Sequence, residues 1–177
     1  MNKLKLLMCL IALTIISYSI SFSQETRTMP SVKVKNLKGE TIDTKSFSND
    51  GKPFVICFWA TWCSPCIIEQ NTFNEVYDKW QEETGVKIIS ISIDDTRSSK
   101  KVAPFVKGRK WKFEFYLDEN SNFKRAMNAG HPPHSFLVNG NGEIVWEHSG
   151  FAPGDEEELY TEIKKLINNN SEGSNSK

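Results

Sequence analysis

Every residue from Phe54 to Trp59 is apolar, and the chain meets two cysteines, Cys63 and Cys66, just before a helical pattern takes over. Such a run has no side to offer water, so it reads as a strand covered on both faces. Beyond it, Cys66, Glu69, Phe73, Val76, Tyr77 and Trp80 recur at helical spacing, and Gly85 is a helix stop. A buried strand running into a helix confines the cysteines to the carboxyl end of a central strand, where open α/β sheets build their sites.

That position can make a thiol reactive. The free N–H groups of a helix's first turn and its dipole stabilise an anion, so Cys63 at the tip is expected to be partly thiolate, with Cys66 a turn further in. A thiol of pKa near 8.5 is only about 3% thiolate at pH 7, whereas one lowered to about 7 is roughly half. Pro65 suits the first turn, where a missing N–H costs nothing and its φ is preset. Trp62-Cys63-Ser64-Pro65-Cys66 therefore points to disulfide exchange.

The remaining pattern predicts an α/β fold. Residues 32–35 alternate like an edge strand, Lys38-Gly39-Glu40 is a turn, and Thr41-Ile42 is the return of a small hairpin. Residues 86–93 form a second central strand, 98–107 a helix, 113–117 a strand and 121–128 a short helix. Asn139-Gly140-Asn141-Gly142 joins an antiparallel hairpin. A last helix covers 155–167, with acids in its first turn and Lys164 and Lys165 near its end, as the macrodipole favours. Together these give a mixed central sheet flanked by helices on both faces.

The chain has 177 residues, with 25% charged and 38% hydrophobic, enough for one domain with a proper core. Residues 1–23 read as a cleaved signal peptide: Lys3 and Lys5, then a 15-residue apolar stretch, then a small-x-small site ending at Ser23. That stretch is short for a membrane span of about 20 residues, which makes a retained anchor the second choice. Residues 24–31 are expected to be flexible, 32–167 to form the domain, and 168–177 to be a disordered tail. Losing Lys3 and Lys5 turns the formal balance of 22 basic and 22 acidic residues to −2, which does not attract nucleic acid. Export, to the periplasm or another extracytoplasmic space, would place Cys57, Cys63 and Cys66 where disulfides persist, as one close pair and one extra thiol.

Phe58-Trp59-Ala60-Thr61-Trp62-Cys63-Ser64-Pro65-Cys66 resembles the active-site segment of the thioredoxin superfamily, and Pro133-His134-Ser135-Phe136-Leu137 resembles the segment that begins with its cis-proline. The likeness covers roughly residues 32–166. The leader, the N-terminal hairpin, the inserted strand and helix between Ile93 and Gly130, and Glu69 three residues after Cys66 are similar to the exported thiol-disulfide oxidoreductases of the TlpA/ResA type. The resemblance implies a thioredoxin-like fold that reduces disulfides of protein substrates outside the cytoplasm, often in cytochrome c maturation, with electrons from a membrane donor and no cofactor. It implies Cys63 as the attacking thiolate, Cys66 as the resolving thiol, and Pro133 as the residue that shapes the docking groove.

Three positions depart from the family pattern. The buried Asp that thioredoxins carry six residues before the first cysteine is Cys57 here. Pro132 precedes the expected cis-proline and has no N–H to offer a substrate backbone. His134 follows, where a small hydroxyl side chain is common.

Glu69 shares the inward stripe of the first helix with Cys66 and Phe73, so burial is expected to raise its pKa and suit it as proton acceptor. Cys57 reads as a small buried hydrophobe, with a Cys57–Cys66 disulfide as the sharper possibility. His134 is placed near the sulfurs, to steady the thiolate or act as a ligand, with a loop histidine as the plainer alternative. Trp62 is expected to wall the site, and packing accounts for Trp59. His131 and His148 are assigned no role. The rival function is metal binding or delivery, with Cys63, Cys66 and His134 as a soft set for Cu(I) or Zn. Haem attachment is disfavoured by Ile67, where histidine is needed.

Overall fold

The computed structural model describes residues 26–174, with side chains through Asn168; the leader read at residues 1–23 lies outside them. Strands β1 (Lys33–Asn36), β2 (Thr41–Asp43), β3 (Phe54–Trp59), β4 (Lys87–Ser92), β5 (Glu114–Leu117), β6 (His134–Val138) and β7 (Ile144–Ser149) form one sheet in the order β2-β1-β5-β4-β3-β6-β7. β3, β4 and β5 are parallel, while β6 runs antiparallel to β3 and β7 antiparallel to β6. Helices α1 (Ser64–Thr84), α2 (Val102–Arg109), α3 (Asn122–Ala126) and α4 (Asp155–Ser174) complete the domain.

Alternation along β3 divides the core. Val55, Cys57 and Trp59 face a cluster built with Phe73, Tyr77 and Trp80 of α1, Val102 and Val106 of α2, and Leu159, Tyr160 and Ile163 of α4. Phe54, Ile56 and Phe58 face the other way, onto Phe123 of α3, Met127, Phe47, Ile89, Ile91 and Phe136. All six β3 residues are buried, as the unbroken apolar run requires. The outcome is a thioredoxin-like α/β fold with helices on both faces of a mixed sheet.

Two glycines are dictated by geometry. Gly85 closes α1 in the left-handed region, φ 66°, and its N–H reaches the Gln81 carbonyl at 2.8 Å. Gly140, in the β6–β7 turn, lies against the backbone of Gly51, where a Cβ would come within 1.9 Å of a carbonyl oxygen.

Three local expectations change. β1 is not an edge strand: it pairs with β2 on one side and β5 on the other, so its lysines flank an interior ladder. Residues 27–29, loose by composition, are tied to the β6–β7 hairpin: the Ile144 N–H donates to the Arg27 carbonyl at 2.8 Å and the Met29 N–H to the Gly142 carbonyl at 2.9 Å. α4 continues past Ile167 to Ser174, through residues expected to be a disordered tail.

Candidate active site

Cys63 is the N-cap of α1, in extended backbone geometry, and the Cys66 N–H donates to Cys63 Sγ at 3.3 Å. A cysteine sulfur thus occupies the place where a Ser or Asp oxygen ordinarily accepts a first-turn N–H. Cys63 and Cys66 are joined by a disulfide, so the oxidised state is the one described. Both are buried, Cys66 completely. The Cys57–Cys66 alternative is not the pairing formed, since Cys57 is a free thiol inside β3.

The segment leading into Cys63 is pinned from below. Buried Asp94, just after β4, accepts the Thr61 N–H at 2.8 Å, the Thr61 hydroxyl at 2.6 Å and the Ser92 hydroxyl at 2.8 Å. The Ile93 N–H also donates to the Trp59 carbonyl at 2.8 Å. Sequence reasoning missed Asp94, because nothing local connects it to a loop 33 residues earlier.

Opposite the disulfide, the Pro132–Pro133 peptide bond is cis. The Pro132 carbonyl oxygen stands 3.6 Å from Cys63 Sγ, so the residue without an N–H presents its acceptor next to the sulfur. Trp62, next to Cys63 in the chain, is 63% exposed, and Ile68 on α1 is 52% exposed. Trp59 is fully buried among Phe105, Trp111 and Phe115 and belongs to the core.

Beneath α1 lies a buried polar row. Strand register sets Ser90 of β4, Cys57 of β3, Ser135 of β6 and His148 of β7 side by side across the sheet. Glu69 and Gln70 come down on this row from α1, both essentially inaccessible. Ser135 Oγ donates to Glu69 Oε1 at 2.9 Å, Gln70 Nε2 approaches Glu69 Oε2 at 3.4 Å, and Ser90 Oγ donates to Gln70 Oε1 at 2.8 Å. Burial pushes the Glu69 carboxyl up to about 8, against the pull of the Ser135 and Gln70 donors. Burial and the Glu69 charge push the Cys57 thiol well above its usual range, so Cys57 stays protonated.

His134 is the correction among the expected site residues. It is adjacent to Ser135 on β6, so the two side chains leave opposite faces of the sheet. Ser135 meets Glu69 on the α1 face, while the His134 ring stacks on Phe136 at 4.4 Å and its Nδ1 accepts the Gly130 N–H at 2.8 Å. Burial holds the imidazole below its usual range, consistent with an unprotonated accepting nitrogen. His134 therefore does not join Cys63 and Cys66 as a third ligand, and its neighbour Ser135 is the residue that enters the polar row. Among the described residues no group of three or more His, Cys, Asp or Glu side chains is arranged to hold a metal. His148, read as a surface residue, is half-buried and pairs through Nε2 with Asp155 at 3.2 Å.

A cysteine pair at a helix start, an adjacent cis-proline and a buried acid on a mixed sheet define a thiol-disulfide oxidoreductase of thioredoxin fold. Residues 26–147 match the AhpC/TSA family, and the chain belongs to that family. It is 32% identical to the thiol-disulfide oxidoreductase ResA of Bacillus cereus, covering 94% of this chain and 99% of that one. It is 30% identical to the sporulation thiol-disulfide oxidoreductase A of Bacillus subtilis, over 71% of this chain and 73% of that one. A solution structure of a thioredoxin-like protein from Porphyromonas gingivalis superposes with a TM-score of 0.72 at 43% identity, covering 81% of this chain and 95% of that one. The crystal structure of StoA from Bacillus subtilis superposes with a TM-score of 0.58 at 26% identity, covering 75% and 97%.

Proposed function

We propose that this protein is an extracytoplasmic disulfide reductase that uses Cys63 and Cys66 to reduce disulfides of protein substrates. The observation that carries the reading is the Cys66 N–H directed at Cys63 Sγ from the first turn of α1, because it stabilises negative charge on that sulfur.

In the dithiol state, Cys63 thiolate attacks one sulfur of a substrate disulfide. That bond breaks, the far sulfur leaves as a thiolate and takes a proton from water, and Cys63 is held in a mixed disulfide. Cys66 then gives its proton to Glu69 and attacks Cys63 Sγ, which expels the second substrate sulfur. Two electrons pass to the substrate, and the Cys63–Cys66 disulfide remains. Glu69 follows Cys66 by three residues on α1, the spacing that sets two side chains on one helical face. Burial raises the Glu69 pKa to about 8, so its carboxylate holds a proton more strongly than an exposed acid does.

Pro133 and the Pro132 carbonyl form the side of the groove against which a substrate chain lies, and Trp62 supplies apolar contact at its rim. With no N–H at Pro132, the substrate backbone makes one fewer hydrogen bond than the family resemblance implies. Reduction is favoured over oxidation because Ser64 and Pro65 place no imidazole between the cysteines to stabilise the thiolate further. The leader read at residues 1–23 and the likeness to ResA favour export, re-reduction by a dithiol donor at the membrane, and substrates such as apocytochrome c. Among the described residues no helix is long and apolar enough to cross a membrane.

The test is the midpoint potential of the pair together with insulin reduction by the dithiol form. Catalysed reduction and a potential in the thioredoxin range, near roughly −270 mV, are expected. A potential above about −150 mV would make the protein an oxidase.

A further inference from the structure

The polar row contains more than Glu69 alone needs. Gln70 is fully buried on the inner face of α1, where an apolar side chain would pack without desolvating an amide. Both ends of that amide are engaged. Ser90 Oγ meets Gln70 Oε1 at 2.8 Å, and against a carbonyl oxygen a hydroxyl can only donate. With Oε1 held by Ser90, the amide NH2 group faces Glu69 Oε2 at 3.4 Å. The reversed amide would set two oxygens against each other, a repulsion that grows when Glu69 ionises.

From this geometry we infer that Gln70, braced by Ser90, is a positioning residue that sets the pH at which Glu69 accepts the proton of Cys66. The inference rests on the proposed role of Glu69. A donor aimed at a carboxylate favours its ionised form, and charge shortens and strengthens such a bond. The other groups around Glu69 do not replace it. Cys57 on β3 stays a thiol, Cys63 and Cys66 on α1 are the reacting pair, and Asp155 at the start of α4, paired with His148 on β7, opposes ionisation by its own charge. Ser135 on β6 and Gln70 on α1 are the two side chains that donate to the carboxylate.

The test follows the resolution step: reduced protein is mixed with a peptide disulfide, and the rate of peptide release from the mixed disulfide is measured against pH. The wild-type profile should show an inflection that Glu69→Gln removes. Gln70→Met should move it upward by about one pH unit, about a tenfold slowing on its acid side. Ser90→Ala, which keeps the glutamine but frees its amide, should move it the same way by less. In the Glu69→Gln background neither substitution should alter the profile. If Glu69→Gln removes the inflection while Gln70→Met and Ser90→Ala leave it in place, the role of Gln70 is overturned. An inflection that survives Glu69→Gln overturns the role of Glu69 and this inference with it.

Discussion

Ser135 and Glu69 are 66 residues apart in the chain, yet the serine hydroxyl lies 2.9 Å from the glutamate carboxyl at the centre of the domain. β6 enters the sheet directly after the cis-proline segment, so the bond ties that loop to the buried acid on α1. Removing Glu69 therefore affects a proton and a strut at once, and the two effects separate by rate and by stability.

Glu69→Gln keeps the shape and most of the hydrogen bonding but cannot take a proton. Release of reduced substrate from the mixed disulfide should slow by about 10²-fold near neutral pH, within the usual range for general-base catalysis. Rapid-quench trapping of the mixed disulfide measures it, and the first attack by Cys63 should keep its wild-type rate.

Stability should fall as pH rises between the ordinary carboxyl value of 4.5 and about 8. In that window the folded chain holds a proton on Glu69 that the unfolded chain has released, so the folded state is favoured at the acid end and loses that advantage as the group ionises. Urea melts of the oxidised protein at pH 5 and pH 9 should differ by a few kcal/mol, on the order expected for a shift of this size. Glu69→Gln should flatten this slope.

Asp94→Ala should destabilise the protein by about 3 kcal/mol, because the Thr61 N–H and hydroxyl and the Ser92 hydroxyl all lose one buried acceptor. Thermal melts give the loss. The freed loop should also shift the potential of the cysteine pair, whereas Thr61→Val, which keeps the backbone bond, should do less on both counts.

Cys57→Ala should cost about 1–2 kcal/mol, a packing loss with no effect on the pH onset of Cys63 alkylation. Peptide mapping of the oxidised wild-type chain should return only the Cys63–Cys66 link, with Cys57 unreactive until unfolding.

Trp62→Ala should leave stability within about 0.5 kcal/mol, since the ring is mostly in solvent. Turnover with a folded protein substrate should fall through KM, while a small disulfide such as oxidised glutathione should be reduced at nearly the wild-type rate.

Local signals made much of this legible. The apolar run at Phe54–Trp59, the stop at Gly85, the Asn139–Gly142 turn and the Cys63–Cys66 spacing each state their own structure within a few residues, because hydrophobic period, positive φ and helix-start chemistry are short-range properties. The inward position of Glu69 was readable for the same reason, from its place on a stripe shared with Cys66 and Phe73.

The chain by itself determined the cysteine pair at a helix start, the mixed sheet and the glutamate's face. Tertiary structure alone decided which strands lie side by side. A register one residue different would have exchanged His134 and Ser135, since neighbouring side chains on a strand leave opposite faces. Through that register Ser90, Cys57 and Ser135 form a row beneath Glu69 and Gln70, and β1 becomes an interior strand. Pairing between strands dozens of residues apart depends on how the whole core closes, which no local pattern encodes.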